Sequence, residues 1–580
     1  MKAWPWLLAT TVLAACNDNS TSATADPTPQ DVPAVAADPA PLGPYEPQTQ
    51  DYDFGRISVS DEQTGDSYET DVHGYLVYPS AAQGPFPLIL FQHGRHQTCE
   101  TGLGQLPVPV GDDNCPDLAP IITPANSYLG YDYLARNLAS HGYAVLSIDT
   151  NDVNDNDGSA SAGDAGALAR ATLILEHLDA FREINANGGE GFDHLIGQLD
   201  LSRIGLMGHS RGGEGVAKAI ALNAQREQPH NLEAVFALAP TDYNTQAVQG
   251  VAYATLLPYC DGDVENLMGA FAFDHARYAD AQDAWPKFQI LATGANHNYF
   301  NTVWTSDDWT IHGSSSDSHC GTSSATHARD SEEDQRALGL FFMASFFRYF
   351  IGQESDFAAY WTGLSKVPPS ACPGELEDCP GRYHLSVQPA AVDRLLIDAT
   401  PDEQALSINA LGGAVSFDGF ASFGVCQAEG ASGEGCEVAD PTFSSASQLY
   451  LSWTSPALYR TALNGLDVRD YTLLSLRVGL SHGDTANAEG QDFLIALIDT
   501  AGQEVVVHAA DLGAALFDPP GDAFDAGGSE KTTLNGLLAP LSLFEGVDLG
   551  ALAALELRFG QSSAGTLQIN DVMFSKLALK

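Results

Sequence analysis

The chain has 580 residues, with 75 acidic against 25 basic and a formal net charge of −50. That length calls for about two to four domains, and a hydrophobic content of 44% is enough for packed cores, which excludes wholesale disorder. So acidic a surface repels phosphate backbones, which argues against a nucleic-acid partner; it fits a marine or halophilic source, or simply an acidic exported protein.

The first sixteen residues read as an export signal: Lys2 is the positive start, and Trp6 to Ala15 form a short apolar run. The ending Leu13-Ala14-Ala15-Cys16 resembles the bacterial lipoprotein box, which implies lipidation at Cys16. Asn17 follows in place of the aspartate that retains such proteins in the inner membrane. The expected location is therefore the outer membrane or cell surface of a Gram-negative bacterium. No later stretch is apolar over the roughly 18 residues of a membrane span, so the lipid is the only expected anchor. Residues 17–50 are rich in Pro, Ala, Thr, Asp and Ser and read as a disordered tether.

From 51 to 352 strands and helices alternate. Residues 74–78 and 87–91 read as strands, 128–140 as a helix, and 143–148 as a strand buried on both faces. A helix follows with Leu168, Ala171, Leu175 and Leu178 on one face. Strands are expected at 203–207, 234–239, 254–259 and 287–292, and a last helix near 334–351. Alternation of this kind predicts a mostly parallel, doubly wound sheet, hence an α/β domain. Residues 353–384 read as a linker. Beyond it, Leu449-x-Leu451-x-Trp453, Leu474-x-Leu476-x-Val478 and Leu555-x-Leu557-x-Phe559 alternate in and out between turns. Residues 385–580 are thus an expected all-β sandwich. Their end, Gly565 to Val572, resembles the last strand of jelly-roll carbohydrate-binding modules, which implies a polymer or polysaccharide surface as partner.

Nine cysteines minus Cys16 leave an even set, which in an oxidising compartment suggests disulfides. Sequence neighbours favour Cys99–Cys115, Cys372–Cys379 and Cys426–Cys436, leaving Cys260–Cys320. No Cys/His cluster has zinc spacing. Asp152 to Gly158 looks like a calcium loop, but the glycine comes one place late and no glutamate closes it. It reads as a solvated turn, and no metal is expected.

Gly208-His209-Ser210-Arg211-Gly212 fits G-x-S-x-G, entered by an apolar strand and left by a helix. That context predicts a nucleophile elbow with Ser210 at its tip. A serine hydroxyl needs a base oriented by a carboxylate, and chain order on such a sheet is Ser, acid, His. His297 lies beyond the strand 288–292. The acid is Asp263 or its competitor Asp261, both just past the strand 254–259. His312 and His319 sit further from a strand end. The oxyanion donors should be the backbone N–H groups of Arg211 and Arg95. His93 and His96 are expected to be structural or pocket-lining, and His209 and Thr241 to line the substrate pocket. Tyr299, Phe300, Trp304 and Trp309 are candidate acyl-pocket walls, or equally loop packing.

The run Leu138 to Asn151, the elbow with its following Gly-Gly, and Ala239-Pro240 resemble the bacterial cutinases and poly(ethylene terephthalate) hydrolases of the α/β-hydrolase fold, within the dienelactone-hydrolase-like group. The resemblance implies a triad of Ser210, Asp263 and His297. Cys260 three residues before Asp263 looks like the polyesterases in which a disulfide joins the acid and histidine loops. That favours Asp263 over Asp261 and supports Cys260–Cys320. The chain departs from the pattern at Arg95, where an aromatic is usual, and at Thr241, where tryptophan is usual. The insertion 97–126 is expected to overhang the site. The expected activity is a cutinase- or polyesterase-like serine ester hydrolase that needs no cofactor. The alternatives are a lipase or phospholipase, and a non-catalytic polymer-binding protein with a degenerate hydrolase domain.

Overall fold

The computed structural model describes residues 37–80, 83–101, 122–158, 163–323, 329–426 and 443–576. The expected signal, Cys16, Cys115 and Cys436 lie outside these residues, and with them the 99–115 and 426–436 pairings. Among the described residues no helix is long and apolar enough to cross a membrane.

The chain opens with a hairpin, β1 (Pro47–Ser60) and β2 (Ser67–Pro79), followed by β3 (Phe86–Gln92). A small ribbon, β4 (Cys99–Thr101) and β5 (Ile122–Pro124), leads to α1 (Asp132–Ser140) and β6 (Ala144–Ile148). Then come α2 (Asn151–Asn156), α3 (Ala167–Asn187), β7 (Leu199–His209), α4 (Arg211–Asn223) and β8 (Leu232–Leu238). The layer ends with β9 (Ala252–Pro258), α5 (Met268–Arg277), β10 (Lys287–Ala292), α6 (Glu332–Phe350) and β11 (Tyr383–Gln388). Nine strands form one sheet in the order β1-β2-β6-β3-β7-β8-β9-β10-β11, parallel from β6 to β10 and antiparallel at both edges. This is the α/β-hydrolase architecture.

Period-two alternation sends successive strand residues to opposite faces. Ile89 and Phe91 face a core closed by α1 and α6, which contributes Phe341, Phe346 and Phe347. Leu88 and Leu90 face a second core with Leu173 and Ile174 of α3 and Val216 of α4. Both faces being covered explains why β6, β9 and β10 are buried at every position. The chain runs from β3 to β6 on one side and returns to β7 on the other. At this switch point the loops after β3 and β7 meet at the carboxyl edge.

Two boundaries differ from the sequence reading. β1 begins at Pro47, inside the stretch expected to be tether, and the Asn137 amide donates to the carbonyls of Pro39 and Ala40 at 3.0 Å. The expected linker is packed structure: Phe357, Tyr360 and Trp361 join the α6 core, and β11 pairs with β10 as the edge of the hydrolase sheet. Apolar spacing in 353–388 is too sparse to reveal this, because these residues bury against α6 and β10 and not against one another.

Past β11 come β12 (Arg394–Asp398), β13 (Val415–Asp418), β14 (Ser422–Cys426), β15 (Gln448–Trp453), β16 (Ala457–Leu466) and β17 (Leu473–Leu480). They are followed by β18 (Leu494–Asp499), β19 (Glu504–His508), β20 (Asn535–Pro540), β21 (Leu552–Phe559) and β22 (Gly565–Ser575). One antiparallel sheet runs β14-β15-β22-β17-β20, with β12 on β22; the other runs β13-β16-β21-β18-β19. Their inner faces share one core of Leu451, Leu476, Ile495, Leu555 and Leu567, a β-sandwich as expected. The sandwich is bonded to the hydrolase layer: Arg477 of β17 donates to Asp274 of α5 at 2.7 Å, and Arg277 pairs with Asp571 of β22.

Candidate active site

β7 ends at His209 and α4 begins at Arg211, so one residue makes the whole turn. Ser210 has φ 57° and ψ −127°, a conformation costing about 1–3 kcal/mol that persists only where the surroundings impose it. Its N–H donates to Leu238 O at 2.9 Å, and its carbonyl accepts from Gly213 N at 2.8 Å. A Cβ at Gly208 would stand 2.0 Å from Gly212 O, so the tightness of the elbow requires glycine there.

The loop after β3 presses on the serine. A Cβ at Gly94 would fall 2.4 Å from Ser210 Cβ, and this close approach brings Arg95 to Ser210. Arg211 opens α4, so its N–H has no acceptor within the helix. The Arg95 N–H makes no backbone hydrogen bond among the described residues. Both guanidiniums are tied to one buried carboxylate: Asp157 lies 3.0 Å from Arg95 Nε and 2.8 Å from Arg211 Nη1. Arg170 reaches the same carboxylate at 3.0 Å and bonds Asn154 Oδ1 at 2.6 Å. The calcium-like run is thus a helix, α2, and an arginine anchor. The other ligand-like cluster, Cys260, His319 and Cys320, is engaged too: Cys260 and Cys320 form a disulfide, and His319 Nε2 lies 2.8 Å from Thr293 O.

His297 follows β10, and its Nδ1–H donates to Asp261 Oδ2 at 2.8 Å, with both side chains about 1% exposed. The preference for Asp263 is corrected by this geometry. Asp261 Oδ1 accepts the N–H groups of Asp263 (2.9 Å) and Val264 (2.6 Å), a turn that carries the Asp263 side chain outward. Asp263 is 47% exposed and stands 3.7 Å from Nε2, too far for a hydrogen bond. The Nε2 of His297 is buried with no hydrogen-bond partner among the described residues. Burial opposes the imidazolium, but the charge and hydrogen bond of Asp261, with the charges of Asp263 and Asp308, outweigh it and lift His297 to about 9.

Asp308 is a participant that sequence reasoning missed. Its carboxylate accepts Gly262 N at 2.8 Å, His297 N at 3.2 Å and Asn298 N at 3.0 Å, so one side chain pins both the acid loop and the histidine loop. Burial and the Asp261 charge push its pKa upward. The Cys260–Cys320 disulfide ties the same two loops, and Cys372–Cys379 is also formed.

A cavity of about 160 Å³ opens at Ser210, walled by Arg95, His96, Gln97 and Arg211 on one part and by Thr241, Tyr243, Asp263 and Val264 on the rest. Thr241 lines it as expected. Tyr243 was missed; it lies two residues further along the same loop, 42% exposed, with the Arg211 guanidinium 5.8 Å from its ring centre. His209 is fully buried, its Nδ1 2.9 Å from the Tyr131 hydroxyl and its ring 4.9 Å from that of His297. Phe300, Trp304 and Trp309 are buried loop packing, and Tyr299 does not line the cavity. Trp304 donates to Ser127 Oγ at 2.9 Å and stacks on His96, whose pKa burial pushes down to about 4. Of the expected overhang, Gln97 reaches the cavity, and 102–121 lies outside the described residues.

Residues 118–307 match the family model described as PETase: PET hydrolase-like. The hydrolase layer resembles the PET hydrolases. The PET-hydrolase-like stretch carries Ser210, Asp261 and His297 and stops short of Arg95 on one side and the sandwich on the other. A bis(hydroxyethyl) terephthalate hydrolase of Streptomyces coelicolor (strain ATCC BAA-471 / A3(2) / M145) is 31% identical over 146 residues, 25% of this chain. The match spans 38% of that relative's length.

Proposed function

We propose that the chain is a serine ester hydrolase of the PET-hydrolase type, with Ser210 as nucleophile, His297 as base and Asp261 as the orienting acid. The observation that carries this is a strained Ser210 at a strand–helix elbow, together with a buried histidine past a later strand whose Nδ1 is held by a buried carboxylate and whose Nε2 has no hydrogen-bond partner among the described residues. Ser210 Oγ attacks the ester carbonyl and its proton passes to His297 Nε2, while Asp261 holds the useful tautomer and steadies the imidazolium. The N–H groups of Arg95 and Arg211 receive the oxyanion. The alcohol leaves with the proton from Nε2, and water then attacks the acyl-serine and releases the acid. The N-terminal lipid anchor and export belong to the same proposal, supported by the Cys260–Cys320 and Cys372–Cys379 disulfides, which fit an oxidising compartment.

The substrate is an ester whose acyl end fits a small, partly cationic cavity with the exposed face of Tyr243 beside it. The similarity to a bis(hydroxyethyl) terephthalate hydrolase supports testing terephthalate esters first. The decisive experiment is labelling with a fluorophosphonate alongside hydrolysis of p-nitrophenyl esters, bis(hydroxyethyl) terephthalate and polyester film. Wild type should label and turn over. Ser210→Ala should not label, and its kcat should fall by about 10⁴ or more. An unlabelled, inert wild type rejects the assignment.

A further inference from the structure

We propose that the sandwich segment 520–533 is a clamp on the acid and histidine loops, with Lys531 as its positioning residue. The inference rests on the hydrolase reading above and changes the part assigned to the C-terminal layer. On this view it belongs to the catalytic apparatus and is not a detachable binding module.

Lys531 is completely buried. Its Nζ donates to Tyr259 O at 3.0 Å, and its backbone N–H donates to the Tyr259 hydroxyl at 3.0 Å, which in turn donates to Pro520 O at 3.0 Å. Tyr259 stands immediately before Cys260 and Asp261, and its own N–H is fixed to Ala292 O at the end of β10. The ammonium also lies 5.3 Å from the ring centre of Tyr259, 5.7 Å from that of Phe524 and 5.8 Å from that of Trp309, within cation–π range. Trp309 adjoins Asp308, the residue that pins His297. Lys531 thus meets the acid loop just before Asp261 and the histidine loop just after Asp308.

The same segment holds the histidine loop independently. The Asp317 carboxylate accepts Asp522 N at 2.8 Å, Ser529 N at 3.0 Å and Ser529 Oγ at 2.8 Å, and it also caps Cys320 N at 2.6 Å. Ser314 N donates to Gly527 O at 2.7 Å. Both ends of the Cys260–Cys320 bridge are therefore gripped from the sandwich side. A buried ammonium is costly, and an apolar side chain would fill the space at less expense. Burial pushes Lys531 down to about 8, so it keeps its charge at neutral pH, where the carboxylates of Asp261, Glu265 and Asp317 favour it. Such a cation makes sense where it sets the place of the carbonyl and carboxylates it faces.

The test uses the full chain carrying Lys531→Met, with kcat and KM measured on a soluble p-nitrophenyl ester and thermal unfolding followed in parallel. A clamp that positions predicts kcat lower by about 10- to 100-fold with KM nearly unchanged, because a displacement of order 1 Å at the reacting groups costs that much. Fluorophosphonate labelling should slow in proportion. Ser529→Ala and Asp317→Asn should lower kcat in the same direction, and each should be less than multiplicative with Lys531→Met. Wild-type kcat and KM in a folded Lys531→Met protein overturns the clamp. If that variant does not fold, unchanged kcat in Ser529→Ala and Asp317→Asn overturns it instead. A wild type inert to the probe overturns the hydrolase reading and the clamp together, whereas a reactive wild type with an unaffected Lys531→Met overturns the clamp alone.

Discussion

His297 is surrounded by carboxylates in three different relations: Asp261 bonded to Nδ1, Asp263 facing Nε2 at 3.7 Å, and Asp308 beneath its backbone N–H. On the proposed mechanism only the first can fix the tautomer that leaves Nε2 free as a base. Asp261→Asn should therefore lower kcat by about 10⁴, while Asp263→Asn should leave most of it. Both carboxylates also bear on the pH dependence, because each raises His297. A base must be neutral to accept a proton, so the rise of His297 to about 9 predicts that kcat/KM climbs with pH through the neutral range and levels off only above about 9. Removing the Asp263 charge, one of the groups that raise His297, should move the midpoint of that climb to lower pH. A pH–rate profile of both variants checks these points, and a midpoint that stays put in Asp263→Asn would reject the electrostatic account. The elbow at Ser210 and the place of His297 past the end of β10 were legible because both are local patterns. The choice between Asp261 and Asp263 was not, because it depends on the turn closed by Asp261 Oδ1 on the two following N–H groups. Asp308 lies eleven residues beyond His297 in a loop with no periodic signal.

Two elements that never pair as strands, the acid loop after β9 and the histidine loop after β10, are made one body by Asp308 and by the Cys260–Cys320 bridge. The bridge closes a separation of 60 residues, and removing such a cross-link should cost about 2–4 kcal/mol. The double variant Cys260→Ser/Cys320→Ser should show that loss in urea or guanidinium unfolding. Its kcat should fall more than its KM rises, since the bridge orders groups that react and not groups that only bind. A variant with lost stability and intact kcat would assign the bridge to stability alone. At this scale the sequence was informative wherever a strand is buried on both faces or alternates strictly: residues 143–148, 254–259 and 287–292 each fall on strands of the parallel sheet. It was silent on partnership. Tyr383 to Gln388 alternates as a strand should, but nothing in that alternation says that its neighbour is β10 and not another strand of the sandwich.

Across the whole molecule, the two textures of the chain mark two layers with separate cores, yet the boundary between them is built from charge. Asp274 of α5 sits between Arg277 of its own layer and Arg477 of the sandwich, and Asp571 of the sandwich receives Arg277 and the Tyr278 hydroxyl, the latter at 2.6 Å. Arg277 and Asp571 are 294 residues apart, which is why reading along the chain could not join them. All four charged side chains are nearly inaccessible to water, so separating the layers would leave buried charges without partners. Removing one member of such a network costs about 3–5 kcal/mol. The two layers should consequently unfold together. Calorimetry of the full chain should give one transition whose calorimetric and van't Hoff enthalpies agree, and Asp571→Asn should lower that transition or split it in two. Two well-separated transitions in the wild type would instead mean that the charged boundary holds no more firmly than an ordinary contact between domains, and that the sandwich can leave without disturbing the sheet that carries Ser210.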